Sequence, residues 1–374
     1  MTIKIGLICG KSDEPALLID SKFKTSIPSK YKKTWEGLKN IVHNDIALAY
    51  TMKQRFPGYT INIIQPEEIT VAKLKKNDIN YSIGFDIIDI INPEFEQVPK
   101  KFAGPKGIEK LRNIYKSIDK ENKLFPSYDF LDFCWSKKKY LTLLKKNNIP
   151  ITETVFINRN INTKRLLQQL QKYNWKEFTI KPEGGAGSAG VSFIKLKDCL
   201  KNPLIIDKYL EEKENKKFSD FLIQEKITGF KKYGEIKSYW INGKYSYAVK
   251  IIDRRKPGKG QWEYTPDQYK VSTLTDNKIR NKIIEIGTKV IQVLPKIKIN
   301  GKKTLPVLLR IDFACCLNNL RKSSKADVSN YFVNEIEIDA AGYYTNGQFT
   351  DVKYPISEIL SDAYIKKAEE IRKK

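Results

Sequence analysis

The sequence predicts an α/β protein composed of α+β lobes, and three observations support this fold class. Apolar segments alternate with helical patterns in the first third of the chain, strand patterns dominate after residue 221, and 374 residues suffice for two or three compact lobes. The apolar fraction of 41% is typical of a globular protein. No apolar run approaches the roughly 20 residues that cross a bilayer, and no signal peptide is evident. We therefore expect a cytoplasmic protein without a membrane partner.

The first lobe is predicted at 1–125, where strands and helices alternate as in an open α/β sheet. Its elements are, in order, a strand at Ile3–Cys9 that ends at Gly10, an amphipathic helix at Trp35–Phe56, a strand at Thr60–Gln65, and a parallel strand followed by a loop within Tyr81–Ile91.

The middle lobe is predicted at 126–226 and the third lobe at 227–374. Ser136 suits the N-cap of a helix that reaches Asn148, because its hydroxyl can accept a hydrogen bond from a free backbone N–H. The other elements of the middle lobe are strands at Val155–Ile157, Phe178–Lys181, Val191–Leu196 and Leu222–Lys226 and a helix at Thr163–Tyr173. Those of the third lobe are strands at Ile236–Ile241, Tyr245–Ile252, Val307–Cys316 and Tyr331–Ile338, a helix at Leu274–Leu294 and a loose insertion at Asn318–Asn330.

The net charge of +25 comes mostly from lysines scattered along the chain, since only ten of the 68 cationic residues are Arg. Nucleic-acid recognition favours Arg, so we expect small anions such as nucleotides, and not nucleic acid, as ligands. Five Cys without a CxxC pair fit a reducing compartment. The single His, His43, excludes a multi-His zinc site and leaves phosphoryl and acyl chemistry to carboxylates, Lys, Arg and backbone amides.

Two familiar nucleotide-binding signatures are incomplete in this sequence. Gly6–Ser12 (GLICGKS) resembles a Walker A loop but has three residues between its glycines, where the loop needs four. Gly185–Gly190 (GAGSAG) matches G-x-G-x-x-G, but a strand pattern follows it, whereas a Rossmann turn opens a helix. We therefore reject both interpretations.

Lys181 instead leads a glycine-rich hairpin that lies between two predicted strands and ends at Gly190. Glycines let the backbone approach phosphate oxygens and expose its amides, and Lys181 adds a positive charge. The hairpin therefore predicts a phosphate site; a hairpin without a ligand is the alternative.

A cluster of charged residues is predicted where two late strands become neighbours. Strand alternation places Arg310 and Asp312 on one face of the first strand, and Glu335 and Glu337 on one face of the second. Three converging carboxylates repel one another unless cations lie among them, and Mg²⁺ prefers such hard oxygen ligands. A solvent-facing set paired with lysines is the alternative. The opposite, core face is predicted for Phe313, Phe332 and Ile336.

The order of these motifs resembles the ATP-grasp superfamily and, within it, the D-alanine–D-alanine ligase branch, from Gly10 to Gly342. The resemblance implies an ATP-grasp fold with an N-terminal Rossmann-like pre-ATP-grasp lobe, and ATP bound between the middle and third lobes. It also implies two Mg²⁺ ions, with Mn²⁺ as an alternative. Their ligands would be Asp312, Glu335 and Glu337.

The resemblance also assigns further roles to matching positions. Glu14 would hold a substrate amino group, and Arg310 would stabilise the acyl-phosphate and tetrahedral species. Lys137 and Lys181 would contact the ATP phosphates. The other nucleotide contacts would come from Gly185, Gly187 and Ser188 in the hairpin, Gln224, Glu225, Lys226 and Ile227 around the adenine, Glu235 at the ribose, and Lys250.

Three positions depart from the D-alanine ligase pattern. The N-terminal loop lacks the usual continuation after Glu14. The third metal position is commonly Asn but is Glu337 here, and residues 339–342 (DAAG) replace the usual Ser-Pro-Gly. We therefore retain the superfamily and leave the substrate open. The basic segment Lys250–Lys270, with Arg254 and Arg255, is either an active-site loop that meets the γ-phosphate or an anionic substrate, or a solvated loop.

The sequence thus predicts an ATP-grasp ligase that activates a carboxylate as an acyl phosphate, couples it to an amine and releases ADP and phosphate. The expected partners are small-molecule carboxylate and amine substrates, such as an amino acid or a peptide; a homodimer stays open. The alternatives are a small-molecule kinase of the inositol-phosphate-kinase kind and a non-catalytic ATP-binding regulatory module. Release of free phosphate distinguishes a ligase from a kinase.

Overall fold

The computed structural model describes residues 2–10, 27–35, 38–91, 98–185, 190–253, 269–315, 330–338, 342–345, 352 and 354–372. Three of the predicted site residues, Glu14, Gly187 and Ser188, lie outside these ranges, as do most of the basic segment after Lys250 and nearly all of the polar insertion.

A four-stranded parallel sheet of order β4-β1-β5-β6 forms the first lobe, which confirms the predicted open α/β arrangement. The elements up to residue 125 are β1 (Lys4–Ile8), β2 (Lys33–Trp35), β3 (Leu38–Ile41), α1 (Asn44–Arg55), β4 (Thr60–Ile64), α2 (Val71–Lys75), β5 (Ile79–Ser82), α3 (Ile87–Ile91), α4 (Gly104–Asp119) and β6 (Leu124–Phe125). Gly6 lies inside β1, and not in a loop, which agrees with the rejection of a Walker A motif.

Two predicted elements of this lobe differ from the structure. The helix predicted from Trp35 begins only at Asn44, and the residues before it form the β2–β3 hairpin. The β-branched pair Ile41-Val42 disfavours a helix there. After β5 the chain forms the short helix α3, where a loop was predicted; the Asp86 carboxylate accepts a hydrogen bond from the backbone N–H of Ile88 at 2.5 Å and so satisfies a free donor at the helix start.

The middle of the chain forms an antiparallel sheet of order β7-β10-β8-β9 with a hydrophobic core of its own. The elements of this part of the chain are α5 (Tyr128–Cys134), α6 (Lys137–Lys146), β7 (Thr154–Asn158), α7 (Thr163–Gln171), β8 (Glu177–Pro182), β9 (Ser192–Lys195), α8 (Leu196–Lys201), α9 (Leu204–Glu211) and β10 (Asp220–Glu225). The buried residues of α5 and α6 belong to the main core, and those from β7 to β10 form the separate one. Ser136 accepts a hydrogen bond from the backbone N–H of Lys139 at 3.2 Å, which confirms the predicted N-cap of α6. Because β8 and β9 are antiparallel neighbours, the glycine-rich segment between them joins two strands of a hairpin.

The third lobe contains an antiparallel sheet of order β13-β12-β11-β16-β17. Its elements are α10 (Gly229–Tyr233), β11 (Glu235–Ile241), β12 (Lys244–Asp253), β13 (Tyr269–Thr273), α11 (Asn277–Val293), β14 (Ile297–Ile299), β15 (Lys302–Thr304), β16 (Leu308–Cys315), β17 (Tyr331–Glu337) and α12 (Ile356–Arg372). One face of the sheet packs on α11, where a Cβ on Gly287 would lie 2.1 Å from the Trp240 ring. The other face carries the charged residues described below.

The C-terminal helix α12, which the sequence analysis did not identify, packs on the first lobe. The Tyr81 hydroxyl donates a hydrogen bond to the Tyr364 carbonyl at 2.8 Å, and Arg55 pairs with Asp362 at 2.7 Å. One hydrophobic core consequently spans the first and third lobes. The lobe boundaries at 125 and 226 stay a prediction. Among the described residues, no helix is both long and apolar enough to span a membrane.

Candidate active site

The predicted metal ligands converge where β16 pairs with β17. Asp312 lies opposite Glu335 and Arg310 lies opposite Glu337, so the alternation of side chains turns all four to the same face. Carboxylate oxygens of the three acidic residues lie within 4.8 Å of one another. The structure therefore brings together three hard oxygen donors, which is the ligand chemistry that Mg²⁺ requires.

Protein cations compensate each of these carboxylates. Arg310 donates hydrogen bonds to both oxygens of Asp312, through Nε at 2.8 Å and Nη2 at 2.9 Å, and its Nη2 also lies 2.6 Å from Glu337 Oε2. Lys137 Nζ lies 3.0 Å from Glu335 Oε1. Asp312 and Arg310 are almost fully buried, where an unpaired charge would be strongly destabilising. Their pairing avoids this penalty.

Lys237 is a buried cation of the site that the sequence analysis did not identify. Its Nζ lies 2.5 Å from Asp312 Oδ2 and 3.0 Å from Glu235 Oε2, and it thus connects the acidic cluster to the predicted ribose contact. Burial and the charge of Arg310 favour the neutral amine, but the surrounding carboxylates outweigh them and raise the pKa of Lys237 well above its ordinary value. Alternation within β11, which turns positions 235 and 237 to one face, was the sequence signal for this residue.

The two glutamates of the cluster have opposite pKa shifts. Burial alone would raise the pKa of Glu335, but Lys137 and two further lysines outweigh it and lower the pKa to about 2. Burial, reinforced by the neighbouring carboxylates and opposed by Arg310, raises the pKa of Glu337 to about 7. Pairs of acidic groups with divergent pKa values are typical of functional sites.

A β-bulge changes which side chains of β17 reach this face. The register shifts between the Asp312 and Phe313 pairs, and the additional residue is Asn334, whose Nδ2 donates a hydrogen bond to Glu235 Oε1 at 3.0 Å. Beyond the bulge, Phe332 lies opposite Ala314 and therefore faces the site. The prediction that Phe332 shares the core face with Phe313 was wrong, because simple alternation cannot anticipate an extra residue.

Phe332 contributes to a small apolar cluster separate from the main core. It packs with Ala314 of β16 and with Ile227, which follows β10 and links the middle and third lobes, while Phe230 covers the cluster from α10. This cluster adjoins Glu235 and Asn334 along the same sheet face. The cluster thus forms an apolar surface with polar groups along one side, which is complementary to a flat apolar ring such as a nucleotide base.

The middle lobe supplies the cations Lys137 and Lys181. Lys137 lies at the start of α6 and donates a hydrogen bond to the Gly185 carbonyl at 2.8 Å. Glu183 fixes this helix start to the hairpin, because it accepts hydrogen bonds from the Ser136 hydroxyl at 2.6 Å and from the Lys138 backbone at 2.9 Å. The helix and the hairpin thus present their charges as one unit.

Lys181 stands close enough to the acidic cluster to interact with it electrostatically. Burial and the nearby Lys137 lower the pKa of Lys181 to about 8, although Glu335 and Glu235 oppose the shift. Gln224 lies on the same face of the middle sheet as Lys181, and its amide donates a hydrogen bond to the Thr154 hydroxyl at 2.9 Å.

Other predicted nucleotide contacts are placed differently. Lys226 pairs with Glu177 and lies over the Phe193 ring, on the same face of the middle sheet as Gln224, and Glu225 is half-buried at the end of β10. Lys250 lies opposite Ile236, on the sheet face that packs on α11. The structure therefore does not bring the Lys250 side chain to the site, because alternation in β12 turns it away.

Solved structures of ATP-grasp ligases resemble the chain over nearly its whole length. D-cycloserine synthetase DcsG matches with a TM-score of 0.62 and 12% identity, over 98% of this chain and 99% of that one. D-alanine–D-alanine ligase from Bacillus anthracis matches with a TM-score of 0.56 and 12% identity, over 99% of both chains. ATP-grasp ligase PsnB, complexed with a precursor variant, Mg and ADP, matches with a TM-score of 0.56 and 12% identity, over 97% and 98%.

No protein-family model and no curated protein sequence matches this chain. The structural likeness to the three ligases nevertheless extends over nearly the whole chain. The chain has the ATP-grasp fold.

Proposed function

We propose that the protein is an ATP-dependent ligase that joins a carboxylate to an amine through an acyl-phosphate intermediate. The observation that carries the proposal is the convergence of three carboxylates within 4.8 Å, facing two lysines from the middle lobe. Asp312, Glu335 and Glu337 would hold Mg²⁺, with two ions in the proposed scheme, and Mn²⁺ has the same ligand preference. Bound Mg²⁺ neutralises phosphate oxygens and thereby favours phosphoryl transfer.

The nucleotide would lie between the middle and third sheets. Ile227, Ala314 and Phe332 would contact the adenine, and Glu235, held by Lys237 and Asn334, would accept hydrogen bonds from the ribose. The predicted contacts at Gly185, Gly187, Ser188, Gln224, Glu225 and Lys226 remain part of the hypothesis, whereas Lys250 does not, because its side chain lies on the opposite sheet face.

Lys137 and Lys181 would bind the phosphates and orient the γ-phosphate for in-line attack by the substrate carboxylate. The amine then attacks the acyl carbon and phosphate leaves. Arg310, which Asp312 and Glu337 hold rigidly, would stabilise the oxyanion of the tetrahedral species. Glu14 would hold the amino group of an amino-acid substrate. No side-chain nucleophile is required in this scheme.

A phosphate-release screen tests the proposal. Purified protein is incubated with Mg–ATP and pairs of amino acids, short peptides and small di-acids, and positive mixtures are analysed by mass spectrometry. We expect a condensed product and free phosphate, and at least a 100-fold loss of rate in Glu335→Gln. A phosphorylated product would instead identify a kinase, and nucleotide binding without turnover across the whole screen would support a non-catalytic module.

A further inference from the structure

Lys237 is the buried charge of the site for which the proposed reaction has no role. It is 8% exposed, and its two carboxylate partners come from different parts of the site, Asp312 from the acidic cluster and Glu235 from the predicted ribose contact. An ammonium group 2.5 Å from Asp312 Oδ2 occupies space that a divalent ion bound to this oxygen would need. Lys237 and an ion therefore compete for the same carboxylate.

The charges around Lys237 balance within the protein. When all of these groups are ionised, Glu235 and the three carboxylates of the cluster carry four negative charges, and the three lysines and one arginine around them carry four positive charges. A divalent ion that entered alone would leave the buried site with an excess positive charge. Two such ions that enter with the triphosphate, which carries about four negative charges, would keep it neutral.

We infer that Lys237 acts as an internal counter-ion that makes divalent-ion binding depend on the nucleotide. Before the nucleotide binds, Lys237 compensates Asp312 and Glu235. When phosphates and ions arrive together, the ions compensate the carboxylates and the protein cations turn to the phosphates. Lys237 is thus a positioning residue, and the inference rests on the proposed metal role of Asp312, Glu335 and Glu337.

Binding of Mn²⁺, followed by the electron paramagnetic resonance signal of the free ion, tests this inference without any turnover. The full chain is titrated with Mn²⁺ alone and with a non-hydrolysable ATP analogue, after correction for Mn²⁺ held by the analogue itself. We expect wild-type protein to bind Mn²⁺ at least about tenfold more weakly without the analogue. We expect Lys237→Met, which removes one buried positive charge, to bind Mn²⁺ without the analogue about tenfold more tightly than wild type.

Two control variants separate this effect from a structural one. Lys237→Arg keeps the charge and should restore the wild-type dependence on the analogue. Lys289→Met removes an exposed lysine that pairs with Glu285 on α11, and it should change nothing. Equal Mn²⁺ affinity in wild type and Lys237→Met would overturn the inference.

The wild-type titrations remain decisive if Lys237→Met does not fold. Equally tight wild-type binding with and without the analogue would overturn the counter-ion role while leaving the proposed ligase intact. An absence of Mn²⁺ binding under both conditions would overturn the metal assignment itself, and the inference with it.

Discussion

At the scale of single residues, Lys181 differs from the other cations of the site. Ion pairs join Lys137, Lys237 and Arg310 to carboxylates, whereas none joins Lys181 to a carboxylate within the described ranges. Burial and a neighbouring lysine lower the pKa of Lys181 to about 8. Its charge therefore changes around pH 8.

The affinity for nucleotide should consequently fall as the pH rises through 8. Only protonated Lys181 attracts the phosphates, so we expect a loss of about tenfold between roughly pH 7 and 9. Lys181→Arg stays protonated over this range and should show a flat profile. Fluorescence titration with a labelled ATP analogue measures both profiles, and parallel curves for wild type and variant would contradict the assignment.

Asp45, in α1 of the first lobe, provides a second pH-dependent group. Its carboxylate is 3% exposed and accepts hydrogen bonds from the backbone N–H groups of Gly10 and Ile46, each at 2.7 Å. Burial raises the pKa of Asp45 and these hydrogen bonds lower it. The effect of burial is larger, so the pKa rises from 3.8 to about 6. Because the folded pKa exceeds the unfolded one, Asp45 contributes stability that is complete below the unfolded value and is lost as the pH rises through about 6.

The free energy of unfolding should show this contribution directly. Between about pH 4 and 6.5, the difference between wild type and Asp45→Asn should change by about 2 to 3 kcal/mol, with wild type losing more as the pH rises. Urea denaturation at a series of pH values measures the difference. A constant offset between the two proteins would show that Asp45 does not titrate in this range.

At the scale of secondary structure, most elements were predictable from local patterns. The strands β8, β10, β16 and β17 and the N-cap of α6 lie where apolar alternation and Ser136 indicated. The β2–β3 hairpin and the Asn334 bulge were not predictable in this way. Both depend on hydrogen bonds with a partner strand, which periodicity along one segment does not encode.

The bulge leads to a test that compares two phenylalanines on opposite faces of one sheet. Phe332→Ala should reduce the affinity for ATP about tenfold, because Phe332 faces the apolar cluster proposed for adenine. Phe313→Ala should instead lower stability by about 3 to 5 kcal/mol, because Phe313 is fully buried in the main core. Calorimetric ATP titration and thermal unfolding measure the two effects, and an unaltered affinity in Phe332→Ala would refute the adenine assignment.

At the scale of the whole molecule, the described residues form two large hydrophobic cores and not three. The middle sheet packs around its own core, whereas the first and third lobes share one, which α12 closes by packing on α1. We therefore expect residues 154–225 to move as a unit, whereas α6 with Lys137 packs in the shared core. Such movement is the basis of hinge closure around a nucleotide.

Core substitutions should reveal this division. Leu170 lies in the middle core. Leu170→Ala should lower the free energy of unfolding of this core by about 2 to 5 kcal/mol, and faster hydrogen exchange should be confined to residues 154–225. Tyr364→Ala should instead accelerate exchange in both the first and third lobes, because its ring packs against Tyr81 at 4.6 Å between centroids. Hydrogen–deuterium exchange with mass spectrometry separates these patterns, and uniform acceleration by Leu170→Ala would indicate a single cooperative unit.

The sequence by itself determined the order of the elements, the glycine-rich hairpin after Lys181 and the common face of Asp312, Glu335 and Glu337. These features depend on patterns within short segments, such as the alternation of side chains along a strand, and such patterns can be identified in the sequence alone. Only the tertiary structure decided that Lys237 pairs with Asp312, that Phe332 faces the site, that Lys250 points away from it, and that α12 closes the first lobe. Each of these outcomes depends on a partner far along the chain, because burial and charge pairing are settled by packing between segments and not within one.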